Sequence, residues 1–246
     1  MPRFFVGTPL QSGDVVTLPD EVTRHVQVLR LQPGDLIVLF NGTGGEYSAE
    51  ILDMERRDTK VRIDTFLDIE NEPPYRLTLA QGIAGSDKMD WLIEKAVELG
   101  ATNFVPLTTS RSVVRLSGER AVRRQAHWQR IVQASCEQCG RNRMPEVAAT
   151  REIGTWLGSM PKTPAQGELR VLLSPRANVS FSSLPGDPPG GEITVLVGPE
   201  GGFSSPEEAA ALDHGFVAVG LGPRVLRTET AGIAVLAALA ARWGGW

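Results

Sequence analysis

The sequence predicts an α/β domain behind a small all-β domain. Three observations lead there. Short apolar runs punctuated by turn residues fill positions 1–72. From Tyr75 onward, strand-like and helix-like segments alternate. Near the C-terminus, two glycine-bearing loops each follow an apolar run.

In the first part, strands are predicted over 15–18, 36–40, 47–52 and 61–66. Pro33-Gly34-Asp35, the stretch from Asn41 to Gly45 and Arg57-Asp58 are the turns between them. A short helix is predicted over 21–29, and closure into a small barrel removes exposed sheet edges. Glu70-Asn71-Glu72-Pro73-Pro74 is polar and proline-bearing, so the domain boundary is placed there, giving 1–72 and 73–246.

In the second part, 77–82 is a strand. A helix over 86–99 follows, with Ser86 as cap and Met89, Leu92, Ile93, Ala96 and Val97 as its apolar stripe. Gly100 sits where a helix ends. A strand over 104–107 leads to a helix over 120–138, with Val122, Ile131, Val132 and Ser135 facing inward and arginines over much of the rest. The runs 169–173 and 193–197 are continuously apolar, as buried parallel strands are. Between them, 174–191 is rich in Pro, Ser and Gly and is predicted to be a long surface loop. Ser205-Pro206-Glu207-Glu208 starts a helix, 216–220 is a strand, and 229–243 is a helix apolar on most faces, suited to a core or an interface.

Composition narrows the function classes. The apolar run 231–241 is about half of the ~20 residues a membrane-spanning helix needs, and the N-terminus lacks signal-peptide character. Cys136 and Cys139 make no disulfide framework, so a reducing cytoplasm is expected. The net charge of −4 disfavours nucleic acid as a partner, but the charge is segregated. Residues 1–72 carry 7 Lys/Arg against 13 Asp/Glu, a net of −6. Residues 111–143 carry 8 arginines against Glu119 and Glu137, a net of +6. Taken alone, that basic run reads equally well as a solvated helix face.

The two C-terminal loops carry the chemistry. Val197-Gly198-Pro199-Glu200-Gly201-Gly202-Phe203 lies between a buried strand and a helix start, where open α/β sheets bind ligands and where glycine lets backbone approach them. The second loop runs from Leu221-Gly222-Pro223-Arg224 through Val225-Leu226-Arg227-Thr228 to Glu229-Thr230-Ala231, with Thr228 or Thr230 as helix cap. A tight strand-to-helix turn and a surface charge cluster are the plain structural readings of the two stretches. Other chemistries fail by residue type. Phe203-Ser204 stands where a phosphate loop needs Gly-Lys-Ser/Thr, and Val225 stands where a dinucleotide fingerprint needs Gly or Ala. Cys136 and Cys139 lack a second pair for zinc, and His25, His127 and His214 form no local pattern, so no metal site is expected.

Together these loops closely resemble the signature of the SPOUT methyltransferases, and in particular the bacterial 16S ribosomal RNA (uracil-N3) methyltransferase family, RsmE. Upstream, the run Asp87-Lys88-Met89-Asp90-Trp91-Leu92 to Gly100, Arg111-Ser112-Val113, and Glu137-Gln138-Cys139-Gly140-Arg141 with Met144-Pro145 are similar too. So are Arg3-Phe4-Phe5 and His25 to Arg30 with Gly34-Asp35, so the resemblance spans nearly the whole chain.

The resemblance implies a PUA-like, RNA-binding β-barrel over 1–72 and an α/β methyltransferase domain over 73–246 with a C-terminal trefoil knot, in a homodimer. S-adenosyl-L-methionine is the implied cofactor, held at Leu173, Gly198, Glu200, Gly201, Gly202, Leu221, Gly222, Leu226 and Thr230. The implied target is N3 of a uridine in 16S RNA, free or in the 30S subunit. For catalysis it points to Arg224 and Arg227, which would stabilise the anion left by the N3 proton, and to Glu229, which would orient an arginine or accept the proton, as Glu200 could. For gripping RNA it points to Arg3, Arg24, Arg30, Arg111, Arg115, Arg123, Arg124, Arg141 and Arg143. A related enzyme acting on another base or a ribose 2′-hydroxyl, a non-catalytic RNA-binding assembly protein, and a nucleotide-dependent oxidoreductase stand as alternatives.

Overall fold

The computed structural model describes residues 1–56 and 58–246, and of Ser86 the backbone only. The chain divides into two compact units, one of 1–71 with 136–144, the other of 72–135 with 145–246. The turn at Arg57-Asp58 and the capping by the Ser86 side chain fall outside the described set.

The first unit is a five-stranded mixed sheet in the order β1-β3-β4-β5-β2. Its strands are β1 (Arg3–Phe5), β2 (Val15–Thr17), β3 (Leu36–Phe40), β4 (Glu46–Met54) and β5 (Thr59–Leu67). Strands β3, β4 and β5 pair antiparallel, whereas β1 runs parallel to β3. Alternate residues Ala49, Ile51, Val61 and Ile63 point into a core with Phe4, Ile37 and Leu39, closed by Val22 and Val26 of α1 (Asp20–Val28). Strand β1 was not expected, because three residues carry too little periodicity to register.

The segment 136–144 is knitted into this unit. Asn142 Nδ2 donates to Ile69 O at 2.8 Å and Asn71 Nδ2 to Gly140 O at 2.8 Å. The Phe5 amide donates to Glu137 Oε1 at 3.0 Å.

The second unit is a sheet of parallel strands in the order β11-β13-β10-β12-β6-β7-β8, with β9 also on β7. The strands are β6 (Leu77–Gly82), β7 (Asn103–Thr108), β8 (Glu146–Val147), β9 (Arg151–Glu152), β10 (Leu169–Leu173), β11 (Val179–Ser180), β12 (Ile193–Val197) and β13 (Val217–Gly220). Strands β10 and β12 are buried almost throughout, as their unbroken apolar runs require.

Helices α2 (Ser86–Glu98) and α6 (Thr228–Trp243) pack together, while α4 (Ile153–Gly158) and α5 (Ser205–Asp213) bury Ile153, Trp156, Leu157 and Ala211 with Ala80, Leu172 and Leu196. All five stripe residues of α2 are buried. Helix α3 (Gly118–Cys139) turns Trp128, Val132, Ser135 and Cys136 inward. Val122, expected inward, is 66% exposed, because the buried face of α3 is set by Trp128 and the turns after it.

Buried Arg170 fixes the start of β10. It pairs with Glu168 at 2.6 Å and donates to the carbonyls of Pro161 and His214, each at 2.7 Å. The segment 174–191 is more ordered than a surface loop. It contributes β11 to the sheet edge and a 3-10 turn over Phe181–Ser183. It is held by α6, where Arg242 donates to the carbonyls of Leu184 and Pro185 and Trp243 Nε1 donates to Pro185 O at 3.0 Å.

Candidate cofactor and RNA site

The site lies past the carboxyl ends of β10, β12 and β13, where parallel sheets leave a crevice. Each of these strands runs straight into a wall of the pocket: Leu173 to Arg176 after β10, Val197 to Phe203 after β12, and Val219 to Thr228 after β13. The volume is about 640 Å³, within the range of sites for cofactor-sized ligands.

Two glycines show why the first loop has its composition. A Cβ at Gly82, at the end of β6, would lie 2.5 Å from Pro199 Cδ, so strand end and loop meet backbone to backbone. Gly202 has φ +65°, which turns the chain back toward α5 without the penalty a side chain would bring.

Helix α5 is then capped by Ser204, one residue before the expected Ser205. Glu207 at the third position accepts from the Ser204 amide at 2.7 Å, and Ser204 Oγ accepts from the Glu207 amide, a full capping box. The same carboxylate accepts from the Ser110 amide at 2.7 Å and its hydroxyl at 3.0 Å, fixing the segment after β7. Burial pushes the Glu207 carboxyl up, but the Ser110 and Ser204 donors outweigh it and hold the group below the usual range. Beside Ser110, Arg111 donates to Gly201 O at 3.1 Å and lines the pocket.

Eight of the nine expected cofactor residues line this one pocket: Leu173, Gly198, Glu200, Gly201, Gly202, Leu221, Gly222 and Leu226. Thr230 does not, being exposed on the first turn of α6. Nor is either threonine the cap of α6, whose N-cap is Arg227. The Thr228 hydroxyl instead donates to Gly198 O at 2.5 Å, joining the two loops.

Glu200 accepts from the Gly85 amide at 3.0 Å and from Lys88 Nζ at 3.1 Å, tying the first loop to the start of α2. Burial raises its pKa, but these donors outweigh it and leave the carboxyl below its usual range. Arg224 and Arg227 are exposed, line the pocket and are engaged by no carboxylate among the described residues. Glu229 is off the lining, with Oε2 buried and unpartnered.

Sequence reasoning missed Lys88 and Arg176, both on the lining. Arg176 pairs with Glu208 at 2.9 Å. Its signal was available, since it lies just past the carboxyl end of β10, the position that singled out the other two loops.

The arginines expected to hold RNA divide in two. Arg24, Arg30, Arg111, Arg115, Arg123 and Arg143 are exposed, and Arg124 lies over the Trp128 ring with its charge 3.7 Å from Asp90. In the first unit, Arg141 is only 3% exposed, and Arg3 is committed to Glu46 and Asn142. A guanidinium enclosed among its own chain's acceptors is not presented to phosphate, so these two are structural.

Among the described residues no group of His, Cys, Asp and Glu could hold a metal ion, and no helix is long and apolar enough to cross a membrane.

Fold and site define an RNA methyltransferase. Residues 71–240 match the RNA methyltransferase domain and residues 18–64 the RNA methyltransferase PUA domain. The ribosomal RNA small subunit methyltransferase E of Buchnera aphidicola (subspecies Schizaphis graminum) is 33% identical over 99% of this chain and 97% of its own. The Neisseria gonorrhoeae ribosomal RNA small subunit methyltransferase E, crystallised with S-adenosyl methionine, superposes with a TM-score of 0.91 at 38% identity, covering 99% of this chain and 98% of that one. A Legionella pneumophila protein solved with the cofactor SAM gives 0.90 at 34% identity, covering 98% and 97%. The chain belongs to the ribosomal RNA small subunit methyltransferase E family.

Proposed function

We propose that this chain methylates N3 of a specific uridine in 16S ribosomal RNA of the 30S subunit, with S-adenosyl-L-methionine supplying an activated methyl group from its sulfonium. One observation carries the reading: the two glycine-bearing loops converge on one pocket with two unengaged arginines on its lining. The pocket suits such a cofactor in volume, and its first loop is packed so tightly against Gly82 that a Cβ there would collide with Pro199. Leu173, Gly198, Gly202, Leu221, Gly222 and Leu226 would hold it, largely through backbone, with Glu200 and Gly201 completing the first loop.

Arg224 and Arg227 would meet the negative charge that develops as the N3 proton leaves, since a fixed cation beside developing charge stabilises it. Glu229 would orient an arginine or take the proton, consistent with a buried oxygen that has no hydrogen-bond partner among the described residues. Glu200 is less suited to that step, because its low pKa makes it a weak base and its donors are already in place. The base must be unstacked for N3 to be reached, at a cost of a few kcal/mol.

RNA would be gripped by Arg111, Arg115, Arg123 and Arg124 of the 73–246 methyltransferase domain, and by Arg24, Arg30 and Arg143. The 1–72 PUA-like domain serves as the RNA-binding partner. A cytoplasmic homodimer with a trefoil-knotted C-terminal domain completes the proposal. In support of the dimer, Ile233, Ala234, Ala237 and Ala238 leave an apolar, incompletely covered face on α6. A monomeric mass in sedimentation would remove that element, and a single millisecond refolding phase would argue against the knot.

Transfer of labelled methyl to unmethylated 30S subunits, followed by nucleoside mass analysis, tests the reading. A 3-methyluridine peak is expected. Label in another base or a ribose methyl assigns a different target, and cofactor binding with no transfer to any ribosomal RNA removes the rRNA assignment.

A further inference from the structure

We infer that Gln81 is the positioning residue that locks the two cofactor loops into one site. The inference rests on the cofactor reading of the pocket. Gln81 lies on β6, opposite Val197 of β12 in the register, at the base of the first loop. Ala80 faces the α4 and α5 side of the sheet, so strand alternation turns Gln81 to the other face, toward α6. It is 1% exposed.

Its amide nitrogen is 2.8 Å from Thr228 Oγ1, 3.3 Å from Gly198 O and 2.9 Å from Gly82 O. Thr228 Oγ1 in turn donates to Gly198 O at 2.5 Å. One buried amide therefore holds the first glycine of one loop and the residue that begins α6 straight after the other. The two loops come from different strands, β12 and β13, which are not neighbours in the sheet. No ladder hydrogen bond joins them directly, and past the strand ends the Gln81–Thr228–Gly198 triangle does.

The other half of the amide argues against a purely stabilising role. Gln81 Oε1 is buried with no hydrogen-bond partner. It faces Gly232 of α6, where a Cβ would lie 3.6 Å from it. An unpaired buried acceptor costs stability and offsets part of what the three donor contacts contribute, so an apolar residue of the same shape should change stability little. It would lack the donor that joins the loops.

Calorimetry with S-adenosylhomocysteine tests this on the full chain. Gln81→Met should weaken binding about tenfold with little change in the urea midpoint, as should Thr228→Val. Thr228→Ser should restore affinity. The double variant should be no weaker than the weaker single, because both remove the same link. Unchanged affinity in Gln81→Met, affinity lost only in step with stability, or effects that multiply in the double variant would each overturn the assignment. If Gln81→Met does not fold, Thr228→Val against Thr228→Ser decides it alone. A wild-type protein that binds no S-adenosylhomocysteine would refute the cofactor reading itself, a result distinct from a wild type that binds and a Gln81→Met variant that binds equally.

Discussion

Arg227 ends the second loop and is the N-cap of α6, yet its side chain makes no cap hydrogen bond. With its charge unengaged on the pocket lining, removal should affect chemistry more than folding. Arg227→Ala is expected to lower kcat by roughly 100-fold with cofactor affinity kept, as loss of a group acting on developing charge does. Single-turnover methyl transfer beside calorimetry separates the two. Arg30 is the opposite case. It has φ +58°, the one non-glycine residue in the left-handed region among those described. It ends α1 in a Schellman turn, with its amide on Gln27 O and that of Leu31 on Val26 O. Arg30→Gly should therefore stabilise the first unit by roughly 1 kcal/mol and weaken RNA binding. A denaturation curve and an RNA titration that move in the same direction would refute the exchange.

The element with the most coupled duties is the start of α5. Glu207 completes the capping box and also fixes Ser110, whose neighbour Arg111 lies over Gly201. Its folded pKa is depressed, so it contributes stability that is present above its unfolded pKa and lost as pH falls through the lower, folded value. Glu207→Gln should therefore be less stable than wild type at neutral pH, and the two curves should converge in acid. A stability gap that stays constant from neutral to acid pH would show that the charge is not responsible. Sequence reading located this helix from Ser-Pro-Glu-Glu but chose Ser205 as cap. Two adjacent serines are equivalent locally, and the partner at Ser110, nearly 100 positions away, cannot be seen from the helix itself.

Over the whole molecule, acid and base are segregated, with a net of −6 over 1–72 and +6 over 111–143 within a chain of net charge −4. RNA binding should therefore depend on local contacts and fall with salt. A log–log slope of roughly −0.9 per neutralised phosphate is expected on duplex RNA regions, and Arg123→Ala should reduce it by about one contact. A slope unchanged in that variant would remove Arg123 from the interface.

The sequence by itself determined the α/β class, the positions of β3, β6, β10 and β12, the buried stripe of α2, and which two loops line the pocket. Those features follow from periodicity, from unbroken apolar runs and from glycine placed after a strand, all readable within a few residues. Tertiary structure decided which groups meet across long separations. Thr228 leaves its own helix terminus to join Gly198, because a hydroxyl bonds whichever acceptor packing brings closest. Arg141 went to the interior of the first unit and Arg3 to Glu46 and Asn142, with residues 136–144 folded into a unit more than sixty positions upstream. An arginine in sequence carries only its charge, and whether that charge faces phosphate or an enclosed carboxylate is settled by what the fold places beside it.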